Sequence, residues 1–276
     1  MTMSGRAARE RSIRNAGPDL CLVSDSHLSS SLDEASSNWS SVVSHVERVK
    51  PRLVLHAGDV SRDGAGTDND LRYSYAKLAE LSTPWFAVPG NHDVREAVDG
   101  PVFTPWRQYI GPEYWTVELN GWLITGLPYQ ALEFKAVHSP QALSSTFAAI
   151  EESIRGRPAI LILHKPVARN PHEGGTTYLS APVSKGLLRL TERSSPLVIV
   201  NGHTHAFRLF DDNGVRELWL PSTWASLARN SANPPATRVC GVVDAWLLEE
   251  GSISMDLVAP RGMCQYHIGL NLSDPY

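Results

Sequence analysis

Cysteine is scarce in this chain of 276 residues: Cys21, Cys240 and Cys264 form an odd set that cannot all pair internally. A disulfide framework is therefore not expected. Long apolar stretches are missing as well. None approaches the roughly 20 residues that cross a bilayer, so neither a membrane-spanning helix nor a membrane partner is expected. Positive charge is not in excess, since 25 Lys+Arg against 29 Asp+Glu leave a net charge of −4. That balance provides no global basic field to hold nucleic acid or anionic lipid. The first residues carry Arg6, Arg9, Arg11 and Arg14 but lack the apolar centre of a secretory signal, so a cytoplasmic location is the default expectation. What the chain does have is 42% apolar and 20% charged residues, enough for a folded domain with an ample core, and ten histidines.

Residues 1–17 are polar, basic and aperiodic, and read as a solvated arm. From residue 18 onward, short apolar runs recur: Leu20–Ser24, Leu53–Ala57, Trp85–Val88, Trp122–Leu127, Ala159–Leu163 and Leu197–Val200. Each is rich in β-branched or aromatic residues and ends in Gly, Pro, Asn, Asp or His, the pattern of strands buried on both faces. Helical segments lie between them. Leu32–Val49 sets Trp39, Val42, Val43, Val46 and Val49 on one face before Pro51, and Asp70–Leu81 is a second candidate. Ser139-Pro140 and Ser180 with Pro182 read as helix starts, with serine as N-cap. Strand–helix alternation predicts an α/β fold. The last third, with Val215–Leu220, Val239–Leu248 and Ser252–Val258, reads as strands forming a second β-rich layer. No linker interrupts 18–276, which is expected to be a single domain.

The polar residues cluster where apolar runs stop. Asp25-Ser26-His27 follows the first run, Gly58-Asp59 the second and Gly90-Asn91-His92-Asp93 the third. His164 ends a fourth, and Gly202-His203-Thr204-His205 a fifth. Groups beyond the carboxyl ends of neighbouring strands converge on one crevice. Singly, each is ordinary: Asp and Asn form turns, and a lone histidine is a hydrogen-bonded core residue more often than a ligand. Together, several buried Asp and His would cost several kcal/mol per charged group unless cations compensate. Asp25, His27, Asp59, Asn91, His164, His203 and His205 are too many donors for one ion with an open position. Two divalent ions against two aspartates and a bridging hydroxide leave about one net positive charge, which suits a phosphate oxyanion. Mixed N/O donors favour manganese, iron or zinc over calcium.

These blocks, in this order, resemble the calcineurin-like metallophosphoesterase superfamily, whose pattern is D-x-H, G-D, G-N-H-[DE], a lone H after a strand, and G-H-x-H. The resemblance runs from about residue 19 to 210. It implies two mixed β-sheets packed as a sandwich flanked by helices, a four-layer fold to which the β-rich tail would contribute the second sheet. It also implies two divalent or trivalent metal ions, with Mn or Fe ahead of Zn. One would be held by Asp25, His27, Asp59 and His205, the other by Asp59, Asn91, His164 and His203, with Asp59 shared and a bridging hydroxide as nucleophile. His92 would stabilise the transition state and protonate the leaving oxygen, while Asp93 would brace a turn.

Two positions depart from the family pattern. Three residues past Asp59, where the family has an acid or amide that orients the histidine, stands Arg62, followed by Asp63. Either Asp63 takes that role, or His92 is oriented otherwise, or Arg62 faces the substrate. After His164, where many relatives have a second histidine, stands Lys165, a cation that could meet a phosphate or simply face solvent. His172, in the following loop, is a candidate for the pocket rim, whereas His56 reads as a satisfied core residue.

The leading expectation is a phosphodiesterase on a small diester. D-x-H at the first block and the modest length resemble the bacterial class III cyclic-nucleotide phosphodiesterase branch. The alternatives are a phosphomonoesterase on a nucleotide or metabolite, a nuclease, which the acidic balance disfavours, and a metal-free scaffold, which the filled ligand set disfavours. A homodimer is compatible with all of these. Substrate contacts are expected from Val94–Thr116 (Arg95, Trp106, Arg107, Tyr109, Trp115) and Pro221–Arg238 (Trp224, Arg229, Asn230, Arg238).

Overall fold

The computed structural model describes residues 17–170, 173, 175–193, 196–212, 215–227, 236–248 and 251–268. The N-terminal arm, His172, Arg229 and Asn230 fall outside these. In chain order the first elements are β1 (Leu20–Val23), α1 (Asp33–Val49), β2 (Leu53–His56), α2 (Asp68–Leu78) and β3 (Trp85–Ala87). A hairpin of β4 (Arg95–Ala97) and β5 (Gly100–Val102) leads into α3 (Thr104–Tyr109), β6 (Trp115–Leu119) and β7 (Trp122–Gly126). Then come α4 (Tyr129–His138), α5 (Pro140–Ile154), β8 (Ala159–Ile162), α6 (Ala181–Arg193) and β9 (Leu197–Asn201). The remainder is β10 (Arg208–Asp212), β11 (Val215–Trp219), β12 (Ala225–Leu227), β13 (Val242–Leu247), β14 (Ile253–Val258) and β15 (Tyr266–Ile268).

Two mixed sheets pack face to face. One runs β14-β13-β1-β2-β3, with β1, β2 and β3 parallel and β13 antiparallel to β1. The other runs β10-β11-β9-β8-β7-β6, parallel except at its edges. Successive strand residues point to opposite faces, so every central run must be apolar throughout. Leu20, Leu22, Leu53 and Leu55 meet Ile160, Ile162, Val198 and Val200 between the sheets. Their alternates face outward under helices. Cys21, Val23 and Val54 lie beneath Trp39, Val42 and Val46 of α1 and Leu71 of α2. Leu161 and Ile199 lie beneath Ile150 of α5 and Leu187 of α6. Helix, sheet, sheet, helix is the four-layer arrangement expected.

The tail departs from expectation. It is not a layer of its own: β11 joins the second sheet beside β9, while β13 and β14 join the first beside β1. The cause is that β1 is apolar on both faces and needs a partner on its free edge; β13, with all six residues buried, supplies one. The expected serine caps also differ. Pro140 opens α5, but Ser139 makes no side-chain capping bond, and Ser180 Oγ before α6 finds no partner. α2 is capped instead by Thr67, which accepts from the Asn69 amide at 3.3 Å. No helix among the described residues is long and apolar enough to cross a membrane.

Candidate metal centre

The seven donors stand past the carboxyl ends of five parallel strands at one edge of the sandwich. β1, β2 and β3 deliver Asp25, His27, Asp59 and Asn91 from one sheet; β8 and β9 deliver His164, His203 and His205 from the other. Backbone bonds lock the loops together, with Asp25 N–H on Gly58 O, His27 N–H on Asp59 O and Gly202 N–H on His164 O, each at 3.0 Å. Five of the seven donors have left-handed backbones: Asp25 (φ 51°), His27 (44°), Asp59 (52°), His203 (68°) and His205 (49°). That conformation costs on the order of 1 kcal/mol or more at each non-glycine residue and concentrates at functional sites. Two glycines permit the crowding. A Cβ on Gly90 would sit 2.0 Å from Asp59 Oδ1, and one on Gly202 would sit 1.8 Å from Ser24 Oγ.

Three overlapping groups converge within metal-ligating distance: Asp25–His27–His205, Asp59–His164–His203 and, between them, His27–Asp59–His92. His164 Nε2 lies 3.1 Å from Asp59 Oδ2 and 3.2 Å from Asn91 Oδ1, while His27 Nε2 lies 3.8 Å from Asp59 Oδ2. The tautomers are set from outside. His164 Nδ1 donates to Ala57 O at 2.9 Å and His205 Nδ1 to Ala225 O at 2.7 Å, so each presents Nε2 to the centre, where a cation would replace the proton that faces Asp59 or Asp25. His205 Nε2 faces His27 Nε2 at 3.2 Å, an approach of two nitrogens that a cation between them would satisfy. The donor set therefore fits two adjacent ions that share Asp59.

The electrostatics match. Burial opposes charge on His164, but Asp59 outweighs it and lifts the imidazole to about 9. Burial and then the charged His164 push His203 down to about 3. Burial likewise opposes ionisation of Asp25 and Asp59, yet His205 and His164 hold both carboxyls well below the usual range. Without metal, these four groups form two self-neutralising pairs.

His92 stands half-exposed beside this cluster, its ring 4.7 Å from that of His27. Its Nδ1 donates to the backbone carbonyl of Arg62 at 2.7 Å, which resolves the departure at that position. A carbonyl orients the ring, so no acidic side chain is needed; the Arg62 and Asp63 side chains are exposed. Carbonyl partners leave no trace in a sequence, which is why residue types alone left three alternatives open. Asp93 braces the loops as expected, accepting from the amides of Val60 (3.1 Å), Ser61 (2.8 Å) and Gly90 (2.8 Å).

His56 is a satisfied core residue with a structural task. Its Nδ1 accepts from Gly58 N–H at 3.2 Å, and its Nε2 donates to Ser26 Oγ at 2.8 Å, which in turn donates to Val60 O. Burial pushes its pKa from 6.5 down to about 4. The unfolded chain therefore binds this proton more readily between those values. The stability it contributes is fully present above 6.5 and lost as pH falls toward 4, to about 3 kcal/mol. Urea titrations of wild type and His56→Gln across this window should show the wild type losing more stability; parallel pH profiles would refute the assignment.

Most of the described side chains expected to contact substrate are buried in the core or engaged elsewhere. Trp106 and Trp115 are buried in the core, Tyr109 packs with Trp106, and Arg107 pairs with Glu113 on the surface. Arg95 is exposed on the β4 hairpin, and Arg238 donates to Leu227 O. Trp224 does reach the site, its ring 5.0 Å from that of His27 and 6.3 Å from that of His205. Lys165 lies beside the centre, its ammonium 5.0 Å from the centroid of the Tyr129 ring.

Sequence reading missed a second convergent cluster, Cys21–His45–Asp244, fully buried under α1. Arg48 donates to His45 Nδ1 at 2.7 Å, which leaves the proton on Nε2 to bond Asp244 at 3.0 Å. That nitrogen has no lone pair for a cation, so this cluster is a core hydrogen-bond network.

The family described as calcineurin-like phosphoesterase matches residues 19–207. No curated protein matches the chain. Among solved structures it is similar to GAP50, the anchor in the inner membrane complex of Plasmodium, at 13% identity and a TM-score of 0.63 over 88% of this chain and 85% of that one. A dimetal phosphatase from Danio rerio matches at 13% identity and 0.55, over 87% and 96%. Purple acid phosphatase PPD1 from yellow lupin matches at 11% and 0.61, over 91% and 53%. At such identities these likenesses establish the fold alone.

Proposed function

Because the chain belongs to the calcineurin-like phosphoesterase family, we propose that this phosphoester hydrolase works with two metal ions, manganese or iron ahead of zinc, on a small phosphodiester such as a cyclic nucleotide. One observation carries the reading: two donor groups of mixed N/O chemistry meet beside an imidazole whose orientation is fixed by a backbone carbonyl. Asp25, His27, Asp59 and His205 would hold one ion, and Asp59, Asn91, His164 and His203 the other. When bound, such a pair supplies Lewis-acid charge and lowers the pKa of coordinated water.

The chain's own residues do the rest. His92 has Nδ1 committed to Arg62 O, which leaves Nε2 to donate a proton to a leaving oxygen. Trp224 offers an aromatic face beside His27 and His205, suited to stacking on a base. A diester is favoured because, among the described residues, the side chains that contact the donors by ring or hydrogen bond include Trp224, Tyr129 and Ser222 but neither lysine nor arginine. A diester carries a single charge between its ester oxygens, whereas a monoester dianion gains from added cations. Lys165 is the observation that speaks for the second reading, a phosphomonoesterase.

Chelation should abolish hydrolysis and Mn²⁺ or Fe²⁺ should restore it. On the reloaded protein, cyclic AMP, bis(p-nitrophenyl) phosphate and p-nitrophenyl phosphate separate the readings. A tenfold or greater preference in kcat/KM for the monoester would overturn the diester assignment. His92→Ala should retain its metal by elemental analysis while kcat falls by about 10²–10⁴; normal turnover would remove His92 from the mechanism.

A further inference from the structure

Ser222 lies in the turn between β11 and β12 and is fully buried. Its hydroxyl donates to the backbone carbonyl of Asp25 at 2.7 Å and accepts from the amides of Trp224 and Ala225 at 3.0 Å each. One donated and two accepted bonds exhaust a hydroxyl, so its orientation is fixed. The two bonds within the turn are of a kind that serine commonly makes to the residues just after it. The third is not. It spans 197 positions of the chain and ends on a residue held in the left-handed region at φ 51°.

Each bond leads to one member of the same donor group. Asp25 has its N–H on Gly58 O and its carbonyl on Ser222, so both peptide groups that flank it are tied and its side chain is aimed. Ala225, whose amide Ser222 holds, offers its own carbonyl to His205 Nδ1 at 2.7 Å. Trp224, also held by its amide, sets its ring 5.0 Å from that of His27. Asp25, His27 and His205 together form one of the groups within metal-ligating distance. The Ser222 hydroxyl bonds to none of Asp59, Asn91, His164 and His203. Ser24, next to Asp25, makes an instructive contrast: its hydroxyl is equally buried but has no partner among the described residues.

We propose that Ser222 is a positioning residue for the ion assigned to Asp25, His27, Asp59 and His205, fixing Asp25 and His205 relative to one another while leaving the other ion site untouched. The inference rests on the two-ion reading above. Removing the hydroxyl frees the Asp25 carbonyl and the Ala225 amide at once, so the two donors lose their common tie. Loss of such a supporting partner typically lowers metal affinity by about 10–100-fold.

The test follows Mn²⁺ binding to the metal-free protein by titration calorimetry, with bound metal counted by elemental analysis. Wild type is expected to take up two ions per chain. Ser222→Ala should weaken one of them by about 10–100-fold and leave the other within about twofold of wild type. Ser222→Cys keeps the shape with a weaker donor, should fall between the two, and carries the comparison if the alanine variant does not fold. Adding His205→Ala to either variant should leave the tightly held ion in place, which assigns the weakened one. Ser24→Ala, which removes a partnerless hydroxyl from the adjoining loop, should bind both ions as wild type does. Equal weakening of both ions, no weakening of either, or the same loss in Ser24→Ala would overturn the proposal. So would disappearance of the tight ion in the double variant. A wild type that binds fewer than two ions would instead bring down the two-ion reading, and this proposal with it.

Discussion

Asp59→Ala is expected to lower kcat/KM by a thousandfold or more, about 4 kcal/mol of transition-state stabilisation, and to reduce bound metal measured by elemental analysis. The Asp59 carboxylate accepts from His92 N–H at 2.9 Å, faces His164 at 3.1 Å and lies 3.8 Å from His27. Removing it takes away a donor common to both proposed ion sites, the counter-charge of His164 and the anchor of the His92 backbone. Asp59→Asn separates these losses. It preserves shape and one acceptor but not charge, so it should hold His92 in place while still losing metal. Wild-type metal content in Asp59→Ala would contradict the shared role assigned to it.

A second large effect is expected at a residue that is not itself a donor. Glu217, on β11, is fully buried and accepts from Val167 N–H at 3.0 Å, Asn201 Nδ2 at 2.7 Å and Arg169 Nη2 at 2.6 Å. It ties the segment that follows His164 to the second sheet. Glu217→Ala strands a mostly buried guanidinium, a backbone amide and a side-chain amide together, and breaking a buried pair in this way costs about 3–5 kcal/mol. At about 2–4 °C per kcal/mol in a chain of this size, Tm should fall by roughly 10 °C. Glu217→Gln keeps one acceptor and should fall between Glu217→Ala and wild type. A Glu217→Ala protein within 2 °C or so of wild type would show that the segment holds without it.

Much of this architecture could be read from residue types because strand periodicity and function meet at the same points. Leu20–Val23 and Ala159–Ile162 are apolar at every position because both faces are covered, and the first polar residues after such runs emerge at the same edge. The donors from Asp25 to His205 were visible for that reason. What stayed hidden depends on backbone groups and long-range pairing. Nothing at Arg62 announces that its carbonyl orients His92, nor at Ala57 and Ala225 that theirs set the tautomers of His164 and His205. The pairing of β13 with β1 spans most of the chain, and local pattern carries no register information. The α4 helix was not anticipated because Pro128 precedes it without a capping side chain. Cys21, His45 and Asp244 are far apart in sequence and meet only once α1 has packed on the first sheet.

Each proposed ion would draw ligands from both sheets: Asp25 and His27 with His205, and Asp59 with His164 and His203. Neither half of the sandwich, folded alone, carries a complete set. Metal capture therefore cannot template the early stages of folding and must follow the docking of the sheets, a late event in a topology dominated by distant contacts. Once captured, the ions would act as rivets across the interface, opposing separation of the two sheets. Bound metal should then delay unfolding of the sandwich as one body, by mass action on the fully assembled state alone.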